Sequence, residues 1–337
     1  MKIFFKTLIV TMLIFTCIFT PAFAWWNNIQ DKTVFHESEV NLEEALPSLV
    51  DENSPFFQAF SDANRINVLL LGVNSGLADT IMLASYDKDT GIIDLISIPR
   101  DTYYVRKGHG HPSEKKINAS YQDGALGVAM AVSDLLEGIP INCYMKVDYD
   151  GVARIVDSMG GVPMNVPFHM HYTDIYDTPP LYIDIEEGYQ VLDGQKAMQF
   201  IRFRKGDKGY PGYKEGDIGR VKTQQEFMKS AFRQAMGLNI VKVAKSVLNN
   251  VESDVKVDTV LSIAKSATGL SPDKVNTYTV PGEARIGEGD LSFWYSSKTK
   301  IREMLTEIYS DQLDEESMDF TGVDGETGTQ TDSSDGY

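Results

Sequence analysis

Cysteine is nearly missing from this chain of 337 residues, which has only Cys17 and Cys143. Residues 1–24 read as an export signal, with Lys2 near the start, a mostly apolar run from Leu8 to Phe19, and Ala22-Phe23-Ala24 as a small-residue cleavage pattern. Cleavage after Ala24 leaves Cys143 alone, which excludes an internal disulfide, so an exported fold must be held by its core. Cys143 lies in an apolar strand-like run and reads as a packed side chain, not a nucleophile. The Leu8–Phe19 run, broken by Thr11 and Thr16, is short for a bilayer span, so cleavage is expected ahead of retention as a signal anchor. Phe15-Thr16 is a poor match to the small residues that a lipoprotein signal needs before Cys17. Positive charge is also scarce: 31 Lys and Arg against 48 Asp and Glu give a formal charge of -17. That excludes the broad basic surface on which nucleic-acid binding depends. No Ser-His-Asp order, glycine-rich nucleotide loop, zinc-finger spacing or internal repeat is present.

With 42% hydrophobic and 23% charged residues the remainder is an ordinary globular composition. Residues 25–64 form an acidic lead-in, read as a stalk or a packed entry to the domain. Residues 311–337 carry nine Asp or Glu and no Lys or Arg, which predicts a disordered tail. Between them, residues 65–310 open with strand patterns at Ile66–Val73, Thr80–Tyr86 and Ile92–Ile98, a three-strand meander with Asp89-Thr90-Gly91 as a turn. Helical patterns follow at Gly124–Leu136, Tyr149–Met159, Gly194–Ile201, Asp217–Met236, Ile240–Asn249 and Lys298–Tyr309. Further strands are expected at Cys143–Val147, Val162–Val166, Tyr182–Ile185, Val275–Val280 and Leu291–Trp294. Strands interleaved with helices predict an α/β fold, a mixed central β-sheet covered by helices on both faces. Apolar content in Ala125–Leu136 and Phe227–Leu248 exceeds one narrow stripe, as buried helices require.

From Arg202 to Lys229 eight Lys or Arg face four Asp or Glu, a basic island in an acidic protein that points to an anionic ligand. Ile201-Arg202-Phe203-Arg204 alternates apolar and basic, so an extended segment would set both guanidiniums on one face. Two planar forks on one face can hold a phosphate or pyrophosphate through charge-assisted bonds. In the helix beginning at Asp217, Ile218, Val221, Met228 and Phe232 fall on the core side, while Asp217, Arg220 and Gln224 share an adjacent stripe. Upstream, Pro99 ends a strand, placing Arg100 and Asp101 at its carboxyl end, where α/β sheets bind ligands.

These segments, with Leu69-Leu70-Leu71-Gly72, Asp79-Thr80-Ile81-Met82, Ser97 to Thr102, Lys116-Ile117-Asn118-Ala119, Leu192-Asp193-Gly194 and Arg202 to Asp207, stand in the order found in the LytR-CpsA-Psr cell-wall ligases. The chain resembles that family from roughly Arg65 to Ser310. The resemblance implies an α-β-α sandwich with an apolar pocket for a polyprenyl chain. It also implies an extracytoplasmic phosphotransferase, secreted or attached to the outer face of the cell membrane, that moves a glycopolymer from a polyprenyl pyrophosphate onto a peptidoglycan hydroxyl. Arg100, Arg202, Arg204 and Arg220 then become the pyrophosphate ligands, Gln224 a supporting contact, and Asp79 a ligand of Mg²⁺ or Mn²⁺. Asp101 is a candidate base or an orienter of Arg100, and Asp217 holds Arg220 or meets the acceptor. The implied partners are the lipid-linked glycopolymer, peptidoglycan and the membrane surface.

The chain departs from the family pattern at Asn74, where an Asp metal ligand is usual, and at Leu77, where an Arg is common. An amide oxygen lacks formal charge, so weaker metal affinity is expected. Two alternatives therefore accompany the transferase: a polyprenyl-pyrophosphate hydrolase, and a non-catalytic wall protein that binds lipid pyrophosphate. His109-Gly110-His111 and His169-Met170-His171, with Asp174 nearby, have a spacing that Zn²⁺ accepts. Such pairs in polar loops are commonly exposed without a metal, and they are read here as ordinary surface histidines.

Overall fold

A computed structural model describes residues 36–37, 41–42, 46, 54, 56–62, 64–74, 76–177, 180–236, 240–255 and 272–313. The expected signal, the tail after residue 313 and the first residues of the lead-in lie outside these residues. In chain order the elements are β1 (His36–Glu37), α1 (Phe57–Asp62), β2 (Arg65–Asn74), β3 (Leu77–Asp87), β4 (Ile93–Ile98), α2 (Gly124–Leu135) and β5 (Cys143–Val147). Then come α3 (Tyr149–Ser158), β6 (Val162–Val166), β7 (Met170–Asp174), β8 (Leu181–Ile185), β9 (Gly188–Leu192), α4 (Gly194–Arg202) and α5 (Asp217–Met236). The chain continues through α6 (Ile240–Leu248), β10 (Glu252–Ser253), β11 (Val275–Thr279), β12 (Gly282–Ile286), β13 (Ser292–Ser296) and α7 (Lys298–Ile308). Among the described residues no helix is long and apolar enough to cross a membrane. The chain divides into two compact units.

The sheet unit takes Val40–Tyr144, Tyr213–Gln225 and the chain from Ser271. Its centre is the predicted meander: β2 pairs with β3 and β3 with β4, all antiparallel, and β11 adds to β4 in parallel, so the sheet is mixed. β2 buries Asn67, Leu69 and Leu71 in alternation, whereas β4 is buried along nearly its whole length, as a central strand must be. The β3–β4 turn is fixed by Asp87, whose Oδ1 accepts the backbone N–H groups of Asp89 at 2.8 Å and Thr90 at 3.1 Å. Arg65 fastens the meander to the end of α7, donating to Asp94 at 2.8 Å and to the Ile308 carbonyl at 2.9 Å. The core joins Leu69, Leu71, Ile96, Val128, Val132 and Leu305.

The described residues of the lead-in pack on the sheet unit. Leu42, Phe56, Ala59 and Phe60 are buried in this same core, and Phe60 meets the Tyr309 ring edge-on at 5.0 Å. Leu313 is buried there as well, beyond the boundary expected at residue 310. Short apolar pieces among acidic residues have no periodicity to read; their partners are remote in sequence.

The hairpin unit contains Met145–Gly212 and Glu226–Leu270. It holds two antiparallel pairs, β6 with β9 and β7 with β8. β7 and β9 escape sequence detection because neither buries an alternating apolar set: in β9 the alternating Tyr189 and Val191 are both exposed. Helix α4 starts where Asp193 Oδ1 accepts the N–H of Lys196 at 2.8 Å, an N-cap that explains the Leu192-Asp193-Gly194 segment. A Cβ at Gly194 would lie 2.3 Å from the Ala153 carbonyl oxygen, so only glycine lets α4 approach α3 this closely.

Candidate active site

In the sheet unit, three sequence-distant segments meet at one cleft. Its lining comprises Asp79 to Met82 on β3, Ser97 and Ile98 on β4 with Arg100 after it, and Arg220, Val221 and Gln224 on α5.

Asp79 reaches the cleft through a break in the β2–β3 ladder. Gly72 pairs with Thr80 and Val73 with Ala78, which leaves Asp79 as an extra residue on its strand. Such a bulge re-aims a side chain that strict alternation would direct elsewhere. Gly72 permits it: a Cβ there would lie 3.0 Å from Thr80 Cβ. The final glycine of Leu69-Leu70-Leu71-Gly72 thus serves close packing behind the acid.

Arg100 emerges where Pro99 ends β4. A turn follows, in which the Pro99 carbonyl accepts the N–H of Thr102 at 2.9 Å and its hydroxyl at 2.6 Å. The Lys116-Ile117-Asn118 segment is stitched onto this turn by N–H donation from Ile117 to the Thr102 carbonyl at 2.8 Å and from Asn118 to that of Arg100 at 3.2 Å. Arg100 Nη1 donates to Asp79 Oδ1 at 2.6 Å. Asp101, expected as a base or as an orienter of Arg100, accepts from Lys116 Nζ at 2.9 Å through its Oδ1. Successive residues in a tight turn diverge, so Asp101 points to the Lys116 segment while Arg100 faces Asp79.

Arg220 is buried at 8% exposure, and Gln224 is half-buried beside it in the lining. Of the expected core side of α5, Val221 is buried, whereas Ile218, Met228 and Phe232 are only partly so, and Phe227 joins the buried set. The side chain that anchors the start of α5 is one that sequence reading passed over, Gln225. Its Nε2 lies 2.6 Å from the Tyr278 carbonyl and 3.0 Å from the hydroxyls of both Ser97 and Thr279. A buried amide next to the singled-out Gln224 carries no signal in one sequence, because its acceptors sit on β4 and β11. Asp217 is the first residue of α5.

The donor set suits a hard cation. Asp79 supplies a carboxylate to the lining; Mg²⁺ takes one or two carboxylates and completes its shell with phosphate oxygens and water. Asn74 closes β2 opposite Leu77 in the hairpin and lies outside the cleft lining.

Arg202 and Arg204 belong to the hairpin unit, and the extended presentation expected of them is replaced by a helix end. The buried residues Ala197, Met198 and Phe200 carry α4 through Arg202, and extended backbone begins at the buried Phe203. Four alternating residues are too few to outweigh that helical period. Arg202 donates to Asp177 at 2.6 Å and its guanidinium lies 4.3 Å from the centre of the Tyr149 ring, while Arg204 is exposed. Of the histidines, His111 caps a short 3₁₀ turn and His109 lies 3.6 Å from Glu114. His169 and His171 converge instead on Asp184, a residue of β8, and not on Asp174. Cys143 is buried, as expected.

A family model, the LytR_cpsA_psr family, matches residues 27–310. That match begins well before Arg65 and takes in the packed lead-in. A Bacillus subtilis polyisoprenyl-teichoic acid–peptidoglycan teichoic acid transferase, TagV, is 26% identical over 276 residues, covering 78% of this chain and 67% of its own. An Oceanobacillus iheyensis transferase of the same type, TagU, is 29% identical over 275 residues, covering 77% and 79%. The crystal structure of Bacillus subtilis TagV superposes with a TM-score of 0.61 at 24% identity, over 75% of this chain and all of that one, and so shares the fold.

Proposed function

The chain belongs to the LytR_cpsA_psr family, and from that membership we propose that it is a phosphotransferase attaching a polyprenyl-pyrophosphate-linked glycopolymer to peptidoglycan. The observation that carries the reading is the convergence of Asp79, Arg100, Arg220 and Gln224 on one cleft from segments up to 145 residues apart in number, 79 to 224. The acceptor hydroxyl oxygen forms a bond to the phosphorus that bears the glycopolymer. The bond from that phosphorus to the bridging oxygen breaks, the hydroxyl proton is released, and polyprenyl phosphate leaves. Catalysis of such a step is mostly positioning and charge neutralisation. Arg100 and Arg220 supply fixed positive charge for the pyrophosphate, and Gln224 supplies an amide donor. Mg²⁺ or Mn²⁺, held by Asp79, would add Lewis-acid neutralisation of phosphate oxygens.

Pairing Asp79 with Arg100 keeps both charges compensated before substrate arrives. The resemblance extends the phosphate role to Arg202 and Arg204, the metal role to Asn74 and the acceptor role to Asp217. Action on a lipid carrier fits the export signal expected from sequence, and we read the work as done at the outer face of the cell membrane.

Product analysis with a polyprenyl-pyrophosphate-linked glycopolymer and Mg²⁺ tests this. Polyprenyl phosphate release together with a glycopolymer–peptidoglycan phosphodiester is the expected result, abolished in Arg220→Ala. Equal release without peptidoglycan would make the protein a hydrolase, and tight binding without turnover would make it a binding protein.

A further inference from the structure

We propose that His169, His171 and Asp184 of the hairpin unit form a binding site for a divalent transition-metal ion, with Zn²⁺ the best match. The site follows from strand register. His171 is the cross-strand partner of Asp184 in the β7–β8 ladder, and His169 lies two residues before His171, so all three side chains share one face of the hairpin.

Their ligand atoms already cluster. Asp184 Oδ1 is 2.7 Å from His169 Nε2 and 3.6 Å from His171 Nδ1, and one ligand atom from each of the three residues lies within 4.8 Å of the others. Bonds of ~2.0–2.1 Å at tetrahedral angles place ligand atoms roughly 3.3 Å apart. Small side-chain rotations bring the three to that spacing. A two-histidine, one-carboxylate set leaves a fourth position for water or an incoming ligand.

The surroundings separate this arrangement from an exposed ion pair, which needs one carboxylate and one imidazole. Here one carboxylate oxygen faces both rings, and the outer nitrogen of each ring faces another acid. His169 Nδ1 is 4.0 Å from Glu186 Oε2, and His171 Nε2 is 4.0 Å from Asp207 Oδ2. Carboxylates on the far side of ligating imidazoles fix the ring orientation and raise ligand basicity. Asp207 is itself held to β7: its Oδ2 accepts the N–H of Thr173 at 3.0 Å, and its own N–H donates to the His171 carbonyl at 3.0 Å. The Tyr210 ring covers both imidazoles, 4.2 Å from His171 and 5.2 Å from His169 between centroids. A bound ion ties β7 to β8 beside the loop that follows Arg204. The loop joining those two strands carries Asp177, the partner of Arg202.

The test uses the untagged full chain and the metal alone. Titration with Co²⁺ should give one equivalent with the intense visible bands of a four-coordinate nitrogen–oxygen site, displaced by Zn²⁺. His171→Ala and Asp184→Asn should each weaken Zn²⁺ binding by roughly a hundredfold or more, and Asp207→Asn by about tenfold. The His109→Ala/His111→Ala variant should bind as the parent does. Because the three ligand side chains are not buried, metal-free thermal melts of His171→Ala and Asp184→Asn should stay close to the parent's, which separates lost ligands from lost folding. Weak six-coordinate spectra in the parent, or unchanged affinity in His171→Ala and Asp184→Asn, would overturn the site.

Discussion

Arg100 and Asp79 are paired at 2.6 Å, each side chain about one quarter exposed, although the two residues are expected to serve opposite partners, phosphate and metal. A phosphate at Arg100 or a cation at Asp79 would compete with this internal pair.

This competition makes the two residues separable by experiment. Arg100→Ala should weaken binding of polyprenyl pyrophosphate by about 1.5–3 kcal/mol, the size of a charge-assisted contact, with or without Mg²⁺. Asp79→Asn should remove Mg²⁺ dependence and most turnover, yet leave metal-free lipid pyrophosphate affinity equal or higher, since Arg100 loses its competing carboxylate. Calorimetry on both variants decides it. A parallel loss of metal-free affinity in Asp79→Asn would show that Asp79 assists the phosphate site directly.

Gln225 links the first turns of α5 to the sheet through the two N–H groups of its amide, which face the Tyr278 carbonyl and the Ser97 and Thr279 hydroxyls on β4 and β11. Gln225→Leu strands those acceptors in a buried place and should cost about 1–3 kcal/mol in urea unfolding. Turnover should fall further than stability predicts, because Arg220 and Gln224 ride on the same turns. Full activity in a destabilised Gln225→Leu protein would show that the position of α5 does not depend on this amide.

Acid should weaken the sheet unit through Asp87. Burial pushes its carboxyl up, but N–H donation from Thr90 and Asp89, the Thr90 hydroxyl and the Arg65 guanidinium outweigh burial and hold it below the ordinary carboxylate value. A depressed pKa adds stability that is complete above the unfolded-state value, roughly pH 4, and is lost as pH falls through the folded value. The parent should therefore lose stability as pH falls below about 4, and Asp87→Asn should show a flatter profile there. Identical slopes in thermal melts across that range would remove Asp87 from the account.

Elements with strong local periods were legible from sequence alone. Helix α5 runs over the predicted Asp217–Met236, and β5 and β6 match their predicted bounds. Pro99 placed Arg100 at a strand end for a purely local reason. What stayed hidden depends on partners far away in sequence. The bulge that aims Asp79 needs Gly72 on the neighbouring strand, Asp101 turns to Lys116, and Gln225 finds acceptors on two strands. The histidine pair shows the same limit: Asp174 is near in sequence, but cross-strand register selects Asp184.

The lead-in yields the last prediction. Phe56 and Phe60 stack at 5.5 Å between ring centres, Phe60 abuts Tyr309 after α7, and both phenylalanines join Leu42 and Leu313 in the main core. Burying a phenylalanine side chain contributes a large share of a domain's marginal stability, so Phe60→Ala should cost about 3–5 kcal/mol. A chain of residues 65–310 loses all of these contacts, because Tyr309 is left without Phe60, and should fail to unfold cooperatively. A chain of residues 25–313 keeps them, and the acidic residues beyond it have too few apolar side chains to offset their ordering entropy. It should melt with the same midpoint as the parent. Circular dichroism melts of the three proteins decide between a structural lead-in and a dispensable one: a cooperative transition in residues 65–310 at the parental midpoint would show that the aromatic cluster adds nothing to the fold.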